Sequence, residues 1–106
     1  MIIEELINKD KRTFYKLCED HNVKNLFAFG SSVTDKFDLE KSDIDLMVEI
    51  DEPDPIEKGE KIMSFWDKME GFFKRKVDLL SNPTIRNPFL RQSINDSKVL
   101  IYGTSK

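Results

Sequence analysis

The chain has 106 residues, with 17 Lys and Arg against 20 Asp and Glu, and 39% of it is hydrophobic. That length fits one domain spanning residues 1–106, and eight Phe, two Tyr and one Trp provide bulk for a core, which excludes a wholly disordered chain. No apolar run approaches the ~20 residues of a membrane span, so no membrane association is expected. The net charge of −3 divides unevenly, −6 over residues 1–53 and +3 over residues 54–106. A general nucleic-acid binder would show a broad basic surplus, so that class is excluded too. The acidic start, Met1-Ile2-Ile3-Glu4-Glu5, lacks the basic-then-apolar pattern of an export signal. Cys18 is the single cysteine and cannot close an internal disulfide. Both point to a reduced, cytoplasmic setting.

Ile3, Leu6, Ile7, Phe14, Leu17 and Cys18 recur at helical spacing, which predicts one helix over 3–20 with a polar gap at Asp10-Lys11. His21 to Asn25 read as a break, with His21 in a helix-end or surface role. Leu26-Phe27-Ala28-Phe29, ended by Gly30, reads as a buried strand. Residues 31–42 are polar and read as a short helical turn plus a loop. Asp43 to Ile50 form a second strand. Pro55 sits where a helix begins, and Ile62, Phe65, Trp66, Met69 and Phe73 give that helix an apolar face. Gly71 is expected to loosen its end. The aromatic residues of this face are read as core. Val77-Asp78-Leu79-Leu80 is a third strand, and Ser81-Asn82-Pro83 turns the chain. Asn87-Pro88 opens a short helix with Phe89, Leu90 and Ile94 inward. Val99 to Tyr102, ended by Gly103, is the last strand. No repeat or linker divides the chain, and the fold class is α/β (α+β).

Eight acids crowd between Asp35 and Glu52. A charge run of this kind is commonly a solvated loop. Two of its members resist that reading. Asp43 and Asp45 lie two apart in a strand and so project from one face, with Ile44 and Leu46 on the other. Like charges so placed repel unless a cation lies between them, and Asp is depleted in strands. A magnesium site supplies the reason, since that ion takes one or two carboxylates together with substrate phosphates and water. Upstream, Gly30-Ser31-Ser32 follows a strand. A helical turn there would point free N–H groups at an anion, Gly30 would allow close approach of a phosphate, and the Ser31 and Ser32 hydroxyls would donate to it. Asp78 is a further carboxylate in mid-strand. If its strand adjoins that of Asp43 and Asp45, three carboxylates share one face and suit two metal ions, with Asp78 able to take the nucleophile's proton. Alone, Asp78 reads equally well as a solvent-facing edge residue.

Gly30-Ser31 followed by Ser42-Asp43-Ile44-Asp45-Leu46 resembles the signature of the DNA polymerase beta-like nucleotidyltransferases. The small size resembles its minimal members, the MNT proteins, over roughly Asn25 to Tyr102. The resemblance implies a mixed sheet of about four strands flanked by helices. It implies transfer of a nucleoside monophosphate, AMP from ATP, to an acceptor hydroxyl with release of pyrophosphate. Asp43 and Asp45 would hold two magnesium ions, Asp78 would join the first, and Gly30 with Ser31 would hold the triphosphate. Many minimal members pair with a helical HEPN protein and act as its antitoxin. Self-association of the chain is left open.

One stretch departs from the family pattern. Gly-Ser-x-Ala-Arg-Gly is usual there, whereas this chain reads Gly30-Ser31-Ser32-Val33-Thr34-Asp35. An acid at Asp35 would weaken nucleotide binding or move the loop, which motivates an alternative: a non-catalytic nucleotide-binding or protein-binding antitoxin module. Lys74, Arg75, Lys76, Lys36 and Lys41 could offset the negative charge or be ordinary surface bases. The acceptor and the base preference are not legible.

Overall fold

The computed structural model describes residues 2–33, 43–81 and 87–103, with the side chains of Ile2, Ser31 and Ser32 left out of the description. Thr34, Asp35, Lys36, Lys41, the loop read up to Ser42, and the Asn82-Pro83 turn lie outside the described residues.

The expected first helix is two: α1, Ile2–Asn8, and α2, Lys11–Asp20. Asp10 is the reason. Its backbone leaves the helical region (φ −152°, ψ 67°), and its side chain accepts a hydrogen bond from the Thr13 N–H at 3.3 Å, capping α2. His21 closes α2 at the helix end, as expected, but it is buried. Its Nδ1 lies 2.7 Å from the Leu17 carbonyl and its Nε2 2.9 Å from Ser64 Oγ.

Strand β1 runs Val23–Phe29, starting earlier than its apolar run suggests because Val23 and Asn25 already pair with the next strand. A 3-10 turn, Gly30–Val33, follows. β2 is Ile44–Ile50, α3 is Pro55–Phe73 and β3 is Val77–Ser81. Asp54 caps α3, accepting from the Ile56 N–H at 2.9 Å, and Pro55 occupies the first turn. Gly71 does not end the helix. Lys74 does, in the left-handed conformation (φ 55°). α4 is Pro88–Ser97, capped by Asn87, which accepts from Phe89 N–H at 2.9 Å and Leu90 N–H at 3.3 Å. β4 is Val99–Gly103.

The sheet order is β3-β2-β1-β4. β1 is antiparallel to both β2 and β4, while β2 and β3 run parallel, so the sheet is mixed, as anticipated. Side-chain alternation then divides its two faces. Leu26, Ala28, Ile44, Leu46, Val48, Val77 and Leu79 bury against Ile3, Ile7, Phe14, Cys18, Phe65, Met69 and Phe73 of α1–α3. Phe14, Phe72 and Phe73 form an aromatic cluster, with Phe14 5.5 Å from Phe72 and 6.3 Å from Phe73 between ring centroids. The opposite face carries a smaller cluster of Phe27, Met47 and Ile94, with Phe29 and Leu80 at its border. Ile94 therefore points inward as read, whereas Phe89 is 86% exposed and Leu90 44% exposed. Both lie in the first turn of α4, beyond the edge of this small cluster. No helix among the described residues is long and apolar enough to cross a membrane.

Candidate active site

The acidic side chains meet on the sparsely covered face. β2 and β3 pair in parallel with Asp45 directly opposite Asp78, so the two carboxylates point the same way from adjacent strands. Asp43 lies just before β2 and is half-buried, as are Asp45 and Asp78. On the other flank of Asp45 the antiparallel register places Phe29.

Gly30 leaves β1 beside this pair. Its φ is +63°, and a Cβ built on it would stand 2.7 Å from Asp45 Oδ2. Glycine is required there for two reasons. The backbone is left-handed, and the Asp45 carboxylate fills the space a side chain would need. The turn that would cradle a phosphate is thus packed against the carboxylate that would hold a metal. The backbone of Ser31 and Ser32 lies in the 3-10 turn, and their hydroxyls lie outside the described side chains.

The electrostatics record the crowding. Asp45 is pushed up to about 6, first by burial, then by the charges of Asp78 and Asp43. A hydrogen bond between the Asp45 and Asp78 carboxyls, which needs a proton on one of them, adds to the rise. Asp43 acts only through its charge. Among the described residues, no three acidic, histidine or cysteine side chains form a group able to hold a metal ion unaided. The register thus makes Asp45 and Asp78 a close pair, with the charge of Asp43 near enough to raise Asp45 further. Such a donor set fits magnesium, which takes one or two carboxylates and completes its shell with phosphate oxygens and water. Repulsion within the pair is what a dication would relieve.

Asp78 is held by contacts that sequence reasoning missed. β3 is an edge strand, and Val77 turns its N–H and C=O outward. Both are taken by α3. Trp66 Nε1 donates to the Val77 carbonyl at 2.5 Å, and Glu70 Oε2 accepts from the Val77 N–H at 3.1 Å. Trp66 and Glu70 are four apart and so share one helix face. The helical spacing predicts Trp66 as core; it packs there partly and also clamps the strand next to Asp78. The sequence signal was available in the Trp66–Glu70 spacing, but only the sheet order identifies which strand needs an edge partner.

The candidate compensating bases are spread out. Lys74 caps α3, and Arg75 Nε donates to the Phe73 carbonyl at 3.2 Å. The Lys76 carbonyl accepts from Ile44 N–H at 3.1 Å, while its side chain is exposed.

This geometry has relatives. A family model described as "Nucleotidyltransferase domain" matches residues 11–101. The Methanocaldococcus jannaschii protein named "Putative protein adenylyltransferase MJ1379" is 32% identical over 101 residues, covering 93% of this chain and 94% of that one. A solved structure described as a putative minimal nucleotidyltransferase superposes with a TM-score of 0.63 at 23% identity, covering 90% of this chain and 92% of that one. A Shewanella oneidensis complex, described as a tri-AMPylated HEPN toxin with its MNT antitoxin, shares the fold at a TM-score of 0.54. Its identity is 22%, and the match covers 92% of this chain and 72% of that one. With its Gly30 turn packed on the paired acids Asp45 and Asp78, the chain belongs to the nucleotidyltransferase domain family.

Proposed function

We propose that this domain transfers AMP from ATP, with magnesium, to a hydroxyl of a helical HEPN partner, and that it serves as the antitoxin of that pair. The observation that carries the reading is the in-register pairing of Asp45 with Asp78 beneath the Gly30 turn. The adenylyltransferase name of the archaeal relative and the AMPylated toxin in the Shewanella complex support the choice of AMP and of partner.

The residues divide the work as follows. Gly30 and the backbone N–H groups of the following turn bind the triphosphate, with Ser31 and Ser32 as further donors. Asp43, Asp45 and Asp78 would hold magnesium, which would neutralise phosphate charge and favour the deprotonated acceptor oxygen. The acceptor oxygen attacks the α-phosphorus, the bond to the bridging oxygen of pyrophosphate breaks, and Asp78 takes the proton released. The β-sheet keeps Asp45 and Asp78 in place, so positioning requires no rearrangement at the moment of reaction.

The test is transfer of label from α-labelled ATP to the helical protein that the chain binds. Labelling with magnesium, its loss in Asp45→Ala and release of one pyrophosphate per AMP are the expected results. ATP binding without pyrophosphate release would favour the binding-module alternative. No nucleotide binding at millimolar ATP and magnesium would remove both.

A further inference from the structure

One row of side chains crosses the carboxylate-bearing face over β3, β2 and β1 and ends at Lys98, the residue just before β4. The registers place Asp78 opposite Asp45 and Asp45 opposite Phe29. Ala28 pairs with Val99, so one step further along the same ladder Lys98 stands beside Phe29. Opposed residues share a face, and the row reads acid, acid, aromatic, base. At the usual spacing of strands, Lys98 and Asp45 are about 10 Å apart between backbones. They flank the end of β1, and the Gly30 turn leaves from between them.

Lys98 is well held at its root. It is the C-cap of α4, its backbone N–H donates to the Ile94 carbonyl at 2.8 Å, and Val99 begins β4 immediately after it. Its ammonium lies over the Phe27 ring, 4.5 Å from the centroid, and the residue is half-buried. A ring face attracts the ammonium yet leaves its N–H donors free for an anion. Among the described residues no carboxylate pairs with Lys98. The result is a cation on the carboxylate-bearing face, its ammonium over Phe27 and with no carboxylate partner among the described residues.

Resting on the nucleotidyltransferase reading, we propose that Lys98 binds the β- and γ-phosphates of the bound nucleoside triphosphate, the part that leaves as pyrophosphate. The α-phosphorus must sit by the acids, and the remaining polyanion then extends past Gly30 toward the one cation in the row. Charge at this end would also steady the leaving group as negative charge grows on it. A bland role is available, since a cation at a helix C-terminus and over a ring stabilises the fold without touching a ligand. The two roles separate experimentally.

Binding of a non-hydrolysable ATP analogue with magnesium is measured by calorimetry for the full chain, Lys98→Met and Lys98→Arg, beside their melting curves. Methionine keeps the stem over Phe27 and removes the charge. The proposal predicts about ten- to a hundredfold weaker binding for Lys98→Met, the range expected for a hydrogen bond to a charged group. Lys98→Arg should bind within about threefold of the parent, since it retains a charge-assisted contact to phosphate. Unchanged affinity in Lys98→Met, or equal weakening in Lys98→Met and Lys98→Arg, would overturn it. Should Lys98→Met fail to fold, Lys98→Gln carries the same expectation. If the parent chain itself binds no analogue, the nucleotidyltransferase reading fails first and takes this inference with it.

Discussion

The two faces of β2 are built for opposite ends. Toward α1–α3 it presents Ile44, Leu46, Val48 and Ile50, all buried in one continuous apolar core. From the other face come Asp45 and Glu49, half-exposed beside a cluster of three buried side chains. The first face stabilises the fold through area removed from water. The second carries a carboxylate pair whose mutual repulsion opposes folding. The difference teaches that Asp45 is kept in spite of its energetics. An asparagine would fit the strand at lower electrostatic cost, which is why the charge is assigned to the proposed metal site.

Substitutions on each face should separate these contributions. The largest effect belongs to Asp45→Asn, which under the proposed mechanism should lower nucleotidyl transfer on the order of a thousandfold, the several kcal/mol that metal-assisted charge stabilisation would supply. The same substitution should raise stability at pH 7 by about 1–2 kcal/mol, a figure reduced for solvent screening because Asp45 is partly exposed. The sign follows from linkage. Asp45 binds its proton more tightly folded than unfolded, so stability is full below about pH 4 and falls as pH rises toward about 6. The advantage of Asp45→Asn in urea titrations should therefore disappear at pH 3.5. Leu46→Ala, one residue away on the other face, should lower stability by about 2–5 kcal/mol while leaving activity per folded molecule near its parent value. Its unfolding midpoint and low-temperature activity check this. Trp66→Phe keeps an aromatic ring, though a smaller one, and removes the donor to the Val77 carbonyl. It should cost about 1–2 kcal/mol and accelerate amide exchange in β3 before the other strands. The smallest effect concerns Cys18, buried and pushed up to about 12 chiefly by burial. It should react with thiol reagents only after unfolding, at a rate set by denaturant.

Much of the fold was legible because its signals are local. The capping role of Asn87, the prolines that open α3 and α4 and the apolar periodicity of α3 each rest on neighbours within a few residues. Asp10 carried a cap signal too, but the apolar spacing on either side of it suggested one continuous helix. Asp43 and Asp45 were legible as a pair because strand alternation alone puts them on one face. Their closeness to Asp78 was not, since it depends on β3 lying next to β2 in a particular register. The Trp66–Glu70 clamp and the approach of Gly30 to Asp45 were hidden for the same reason. Each joins segments distant in sequence, and only the sheet brings them together. Phe89 and Leu90 show the reverse case, where helical spacing suggested burial but the small cluster under α4 ends before reaching them.

Thermal unfolding with and without magnesium and a non-hydrolysable ATP analogue tests the central claim most directly. The parent chain should melt about 10 °C or more higher at a hundredfold excess over the dissociation constant, the gain that binding to the folded state confers. Asp45→Asn should begin higher without ligand and gain almost nothing from it. Equal shifts in both proteins, or none in the parent chain, would contradict the account.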